Sequence, residues 1–205
     1  MSDQYQLVCI DTETNGLNLV DDILAISIRL LHPDGSPTDT EFYSLIHSDQ
    51  PENKEAYDVN HISREDIQRA PHKEEVLVRL RDWWLKTSYG VVLSPMGHNF
   101  LGFDKPRVER LLGEANYRAM FHYHADDSMI IARSLQRCGL LPVDSCSLKN
   151  LAKFFNLKYE SAAHNASSDT YMCGLVYSRL LKIQKPDFMT RLIRVIMPRY
   201  LGIKK

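Results

Sequence analysis

The sequence predicts an α/β fold in which a mixed sheet of about five strands is flanked by helices. Three apolar, β-prone runs come first, at residues 7–10, 23–31 and 41–46. A further short strand at 91–93 lies among segments with helical periodicity. A chain of 205 residues suits one domain with a sizeable core.

Turn and cap residues delimit these elements. Asn15-Gly16 ends the first strand, and a loop at 32–38 joins the second and third strands as a hairpin. Residues 48–60 are polar and are predicted to be irregular. The last long helix is predicted to be capped by Ser167 or Ser168. Helices are predicted for a short segment after residue 63 and for residues 73–86, 106–112, 128–139, 147–155 and 167–183.

The composition is that of an ordinary globular protein, with 44% hydrophobic and 25% charged residues. No apolar stretch approaches the roughly 20 residues that cross a bilayer, and residues 1–6 lack the features of a secretory signal. Four cysteines form no Cys-x-x-Cys pair, which favours free thiols in a reducing compartment. We therefore expect a cytoplasmic protein with no membrane partner.

Charge is unevenly distributed along the chain. Residues 1–60 carry a net charge of −10, and residues 141–205 carry +7. An acidic third that binds metal and a basic third that binds phosphate would suit a nuclease. Chance segregation of solvated charge explains the same distribution.

Two carboxylates, Asp11 and Glu13, directly follow the first apolar run. Residues two apart on a strand project from the same face, so these side chains are expected to point together. Close carboxylates repel each other, so such a pair faces water, shares a proton or holds a cation. Hard cations such as Mg²⁺ and Mn²⁺ prefer oxygen ligands. A solvated strand end followed by an Asn-Gly turn is the alternative interpretation.

Further candidates for this chemistry are Asp104, His164 and Asp169, which lie at predicted strand exits or helix starts. Four carboxylates and a histidine suffice for phosphodiester hydrolysis with two divalent cations about 3.5–4 Å apart. A histidine can accept the proton of the attacking water because it titrates near neutrality. On one helix, His164 and Asp169 would point about 140° apart. They can meet only if His164 precedes the helix and Asp169 lies on its first turn.

Three motifs follow one another along the chain: Asp-Thr-Glu-Thr at 11–14, Gly-His-Asn at 97–99 leading to Asp104, and His164 followed by Asp169. In this order and spacing they resemble the motifs of the DnaQ-like DEDDh 3′–5′ exonucleases. The resemblance covers roughly residues 6–183 and implies a ribonuclease H-like fold. Supporting segments that are similar to family segments lie at 59–63, 127–133 and 147–151.

The resemblance implies a role for each of these residues. Asp11 would bridge two divalent cations, Mg²⁺ or Mn²⁺. Glu13 and Asp169 would hold the ion that binds the attacking water, and Asp104 would support the second ion. His164 would be the general base.

Six further residues are candidates for substrate binding. The family grips the 3′ nucleotide with backbone groups and an apolar wedge just after the first motif. Two of the six could pack on a base, and one could make a polar contact. Turn, core and capping roles are the alternatives. The six are Thr14, Gly16, Leu17, Ile62, Asn99 and Phe103.

We interpret residues 1–185 as a DEDDh exonuclease domain and residues 186–205 as a basic amphipathic C-terminal extension. The predicted activity is metal-dependent 3′–5′ hydrolysis of single-stranded DNA ends to nucleoside 5′-monophosphates. Within the enzyme class, the alternative is trimming of RNA or short oligoribonucleotides. A hypothesis of another class is an inactive exonuclease fold that acts as a nucleic-acid-binding scaffold. Candidate partners are single-stranded nucleic acid 3′ ends, a DNA polymerase in trans and a second copy of the chain.

Overall fold

The computed structural model describes residues 5–159 and 165–184. Its central sheet has the strand order β3-β2-β1-β4-β5. β1, β2 and β3 form an antiparallel meander, whereas β4 runs parallel to β1 and β5 runs parallel to β4. This is the predicted mixed sheet of five strands. The strands are β1 (Gln6–Thr14), β2 (Ile23–Leu31), β3 (Pro37–Leu45), β4 (Leu93–Gly97) and β5 (Asp126–Asp127).

Eight helices are present within the described ranges. Not one of them combines the length and the apolar character that crossing a membrane requires. They are α1 (Lys54–Asn60), α2 (Arg64–Arg69), α3 (Lys73–Ser88), α4 (Asp104–Leu112), α5 (Glu114–Met120), α6 (Ser128–Arg137), α7 (Leu148–Phe154) and α8 (Ala166–Gln184).

The two faces of the sheet bury different cores because side chains alternate along each strand. Ile10 and Ile28 point to one face, where α3, α4 and α5 cover them. Cys9 points to the other face and packs against α8 through Tyr177, and α6 and α7 add a second core along α8. Asp11 and Glu13, two and four residues after Cys9, lie on the same face of β1. Their side chains therefore point toward the start of α8.

Two predicted segments were wrong. Residues 54–60 form α1 rather than irregular chain, because the Asn53 side chain caps the helix through the N–H of Glu55 (3.0 Å). The fourth strand begins at Leu93 and runs to Gly97 instead of spanning 91–93. Pro95 interrupts the apolar, β-prone pattern from which a strand is predicted. The strand accommodates this proline because its neighbour β5 is very short.

The start of α8 also differs from the predicted one. The helix begins at Ala166, and the Asn165 side-chain oxygen accepts the N–H of Ser167 (3.0 Å). Asn165 therefore caps the helix in place of Ser167 or Ser168. The predicted C-terminal extension, 186–205, lies outside the described residues.

We expect Gly97→Ala to destabilise the fold. A Cβ at this position would lie 2.7 Å from the Ile10 carbonyl oxygen and 2.9 Å from Phe100 Cβ, so β4 could not pack as closely on β1. The expected loss is about 1–3 kcal/mol of unfolding free energy, measured by urea denaturation. Gly102→Ala, in an exposed turn where the nearest atom is the side-chain oxygen of Asn99 at 3.1 Å, is the control, with a change within about 0.5 kcal/mol. Equal midpoints for both variants would contradict this account.

Candidate active site

Three carboxylates converge where β1 ends and α8 begins. Asp11 and Glu13 leave the same face of β1, and Asp169 lies in the first turn of α8. Each of the three offers an oxygen within 4.8 Å of the oxygens offered by the other two. The expected alternation along β1 therefore brings the first pair together, and α8 adds the third member.

The fourth predicted carboxylate, Asp104, is fixed directly to β1. It is 3% exposed, and its Oδ1 accepts the Thr12 backbone N–H (3.0 Å) and hydroxyl (2.6 Å). Thr12 lies between Asp11 and Glu13 in the sequence. These two hydrogen bonds therefore hold the start of α4 against the strand that carries Asp11 and Glu13.

A buried polar network holds the start of α8 on the sheet. Glu41 on β3 accepts hydrogen bonds from Ser27 (2.6 Å), Arg29 (2.7 Å) and Ser167 (2.9 Å). The Thr170 hydroxyl lies 2.8 Å from the Ser27 hydroxyl. Because these contacts flank Asp169 on both sides, they set the position of its carboxylate.

Burial and mutual repulsion raise the pKa values of the clustered carboxyl groups. Burial, and then the charge of Asp104, raises the pKa of Asp11 well above its usual range. Burial, followed by the charge of Asp169, raises the pKa of Glu13 to about 8. Burial raises the pKa of Asp104 to about 7, although the hydrogen bonds from Thr12 act in the opposite direction. A cation between these groups would offset the repulsion.

The donor set suits a hard divalent cation. Within residues 5–159 and 165–184, the group of possible ligands consists of Asp11, Glu13 and Asp169. All three offer carboxylate oxygens, which are the ligands that hard divalent ions prefer. The structure thus has a carboxylate cluster of the kind that holds a metal ion.

Asp127, at the end of β5, organises the loop that leads to Asp104. One of its carboxylate oxygens accepts the backbone N–H of Asn99 (3.2 Å), and the other accepts that of Leu101 (3.1 Å). The same side chain caps α6. The loop that leads to Phe103 and Asp104 is therefore fixed to the ends of the parallel strands.

A cavity of about 430 Å³ opens beside Glu13. Four of the six predicted substrate-binding residues line it: Thr14, Gly16, Leu17 and Phe103. Ala56 and Val59 of α1 form part of its wall. The cavity is mainly apolar, in contrast to the carboxylates at its edge.

The other two candidates lie outside this cavity. Ile62 lines a separate small cavity together with Ile67. Asn99 has a left-handed backbone, with φ 62°, and its carbonyl accepts the N–H groups of the turn at Gly102 and Phe103. His164 lies outside the described residues, so its role stays a prediction.

Sequence reasoning missed residues that shape the site. Asn60 donates to the Thr14 carbonyl (3.2 Å) and so ties α1 to the end of β1. Asn53 followed by Glu55 was the available signal for this helix. Burial, then the charge of Asp169 and a hydrogen bond to it, raises the pKa of Tyr159. No sequence signal marks Tyr159 because it comes from a loop.

Residues 8–177 match the family model described as exonuclease. The chain belongs to this exonuclease family. The resemblance to the DnaQ-like exonucleases is therefore confirmed, and the DEDDh subtype stays a prediction. No curated protein sequence matches the chain significantly.

Solved structures of nucleases share the fold of this exonuclease-family chain. The zinc-bound E. coli exonuclease I–single-stranded DNA complex has a TM-score of 0.73 at 15% identity, over 93% of this chain and 43% of that one. Exonuclease X in complex with 5′-overhanging duplex DNA has a TM-score of 0.60 at 21% identity, over 86% and 91%. The cell-death related nuclease 4 has a TM-score of 0.67 at 14% identity, over 87% and 64%. The chain thus spans less than half the length of exonuclease I, and the likeness confirms the predicted ribonuclease H-like α/β fold.

We expect Thr12→Val to weaken metal binding as well as the fold. The substitution removes the hydroxyl donor to buried Asp104 and leaves only the backbone N–H in place. The expected cost is about 1–2 kcal/mol of unfolding free energy, with a lower affinity for Mn²⁺ in calorimetric titration. Thr87→Val, which removes a hydroxyl bonded to the Trp83 carbonyl on α3, is the matched control. Unchanged Mn²⁺ affinity in Thr12→Val would contradict the expectation that the Thr12 hydroxyl supports metal binding through Asp104.

We also expect the stability of the metal-free protein to fall as the pH rises. The folded-state pKa values of Glu13, about 8, and Asp104, about 7, exceed those of an unfolded chain. The folded state therefore binds more protons, and this stabilising contribution is complete below about pH 4 and is lost as the pH rises through 7–8.

Thermal melting in EDTA at about pH 5 and about pH 8 measures this effect, with the lower Tm expected at the higher pH. Added Mg²⁺ should raise Tm more at the higher pH, because the ion binds ionised carboxylates. The Glu13→Gln variant should show a weaker pH dependence. A Tm in EDTA that rises over this range would contradict the assignment.

Proposed function

We propose that this protein is a metal-dependent 3′–5′ exonuclease that hydrolyses single-stranded DNA ends to nucleoside 5′-monophosphates. The observation that carries the proposal is the convergence of Asp11, Glu13 and Asp169 beside a mainly apolar cavity. Membership of the exonuclease family supports the reaction class. Exonuclease I, which shares the fold, is known in complex with single-stranded DNA, and this supports the substrate class.

Four carboxylates would hold two divalent cations, Mg²⁺ or Mn²⁺. Asp11, Glu13 and Asp169 would bind one ion, and Asp11 and Asp104 would bind the other. When bound, such a pair of ions activates water and neutralises charge on the leaving oxygen. Thr12 and the network around Glu41 hold the carboxylates in place before substrate arrives, so binding needs little rearrangement of these side chains.

The cavity beside Glu13 would receive the 3′-terminal nucleoside. Leu17 is 86% exposed and lines the cavity together with Phe103, so both can contact the apolar faces of a base. Thr14 and Gly16 line the same cavity. A nucleoside held there would place the adjoining phosphodiester beside the carboxylates, and this arrangement favours cleavage one nucleotide from the 3′ end.

His164 would be the general base. This role comes from the family resemblance, and the start of α8 supports it. The described part of α8 begins at Ala166 with Asp169 in its first turn, which is the position of Asp169 that this role needs. A neutral imidazole would accept the proton of the attacking water.

Four further expectations remain predictions: a polymerase that acts in trans, a homodimer, a cytoplasmic location and a domain boundary at residue 185. RNA trimming and a catalytically inactive scaffold are alternative outcomes of the experiment below.

The test uses 5′-labelled single-stranded DNA and an RNA of the same sequence, with Mg²⁺, Mn²⁺ or EDTA. We expect a metal-dependent ladder that shortens from the 3′ end, with faster cleavage of DNA. Asp11→Asn should abolish it, and His164→Ala should slow it by about 10²–10⁴-fold. Asp34→Asn, in the turn between β2 and β3, is the matched control with unchanged activity.

Faster cleavage of RNA would favour the exoribonuclease alternative. Binding of both strands without cleavage of either, under all metal conditions, would refute the enzyme and favour the scaffold. Full activity in Asp11→Asn would refute the assigned site.

A further inference from the structure

The turn between β1 and β2 carries apolar side chains that make little contact with the core. Leu17, Leu19 and Val20 are 86%, 52% and 69% exposed. Hydrophobic burial therefore contributes little to the position of this turn. Its place beside the cavity must come from other interactions.

Two arginines on α4 supply most of these interactions, and Gln50 adds a hydrogen bond to the Val20 carbonyl (3.1 Å). Arg107 donates to the Leu17 carbonyl (2.6 Å). One turn further along the helix, Arg110 donates to the carbonyls of Val20 (3.0 Å) and Asp21. The backbone of the turn is thus held from α4 at both ends.

Arg107 differs from Arg110 because it also contacts Phe103, another residue that lines the cavity. Its second terminal nitrogen donates to the Phe103 carbonyl (2.8 Å). Its guanidinium carbon lies 3.7 Å from the centre of the Phe103 ring. One planar group therefore contacts Phe103 and the Leu17 backbone at the same time.

The burial of Arg107 makes this arrangement specific. The residue is 3% exposed, whereas Arg110 is exposed. A guanidinium can donate to two acceptors in a fixed fork while it stacks on a ring, and an ammonium cannot do both. Since a buried cation needs its hydrogen-bond partners and the Nε of Arg107 has no acceptor, a displacement of Phe103 or of the turn would cost Arg107 one of the two hydrogen bonds of its terminal nitrogens.

We propose that Arg107 is a positioning residue that sets the spacing between Leu17 and Phe103, and so makes the cavity selective for a 3′-terminal nucleotide that carries a base. The inference rests on the proposed function and deepens it. A flat, uncharged base fits between the two apolar walls only while they keep their spacing. A terminal nucleotide without a base has nothing to place there, so its binding should not depend on Arg107.

The test compares two 5′-labelled DNA strands that differ only at the 3′ nucleotide, which is thymidine in one and an abasic tetrahydrofuran in the other. For the wild type, we expect a lower KM for the strand with the terminal base. Arg107→Met should raise that KM on the order of tenfold, equivalent to about 1.4 kcal/mol, with a smaller change in kcat. The KM for the abasic strand should stay unchanged, so the preference disappears.

Two further variants separate positioning from general destabilisation. Arg107→Lys retains the charge but not the fork, so it should lose part of the preference, and it serves as the main variant if Arg107→Met does not fold. Arg118→Met is the control, since Arg118 pairs with Glu114 on the surface of α5 (2.7 Å). It should retain the wild-type preference.

A variant that loses activity equally on both strands, or loses only kcat, would overturn the positioning role. So would a folded Arg107→Met that keeps the wild-type preference. Absence of cleavage by the wild type on both strands with Mg²⁺ or Mn²⁺ would instead refute the proposed function. Fluorescence anisotropy in EDTA then decides the inference separately. A wild type that binds both strands equally overturns it, and a binding preference that Arg107→Met abolishes supports it.

Discussion

The double hydrogen bond from Thr12 to Asp104 is the constraint on which the site depends. Thr12 lies between two residues whose side chains point to the α8 face, so its own side chain points to the opposite face, toward α4. There it meets a carboxylate 92 positions further along the chain. One strand therefore presents Asp11 and Glu13 and also fixes the acidic residue at the start of α4. A shift of β1 by one residue would reverse all of these directions.

Assembling four acidic groups at one place is electrostatically unfavourable, and the surrounding structure offsets this cost. Glu41 accepts three hydrogen bonds, including one from the 7% exposed Arg29. Removing one partner of such a buried pair is costly, because the other charge is left without compensation. The network therefore keeps α8, and with it Asp169, in a position that carboxylate repulsion alone would not favour.

The sequence predicted the parts that follow from local periodicity. The alternation in β1 placed Asp11 and Glu13 on one face, and a serine cap just before Asp169 placed Asp169 in a first helical turn. The missed parts depend on contacts between distant segments. Arg107 has no local signature, because its acceptor in the turn is 90 residues away in the chain. The prediction of β4 stopped too early because Pro95 is unusual in a strand, and the short neighbouring strand β5 that accommodates it is not evident from the local sequence.

The two halves of the site are held by different kinds of structure. The carboxylates are fixed by strands and helices of the core, whereas the cavity walls come from an exposed turn, the seven-residue α1 and the loop that carries Phe103. These walls are attached mainly through hydrogen bonds from side chains to backbone carbonyls, including those of Asn60 and Arg107. Segments that are held in this way generally unfold locally at a lower free energy than the core does. Changes in the turn can therefore alter the cavity while the clustered carboxylates keep their positions, since the hydrogen bonds between Thr12 and Asp104 involve no residue of the turn.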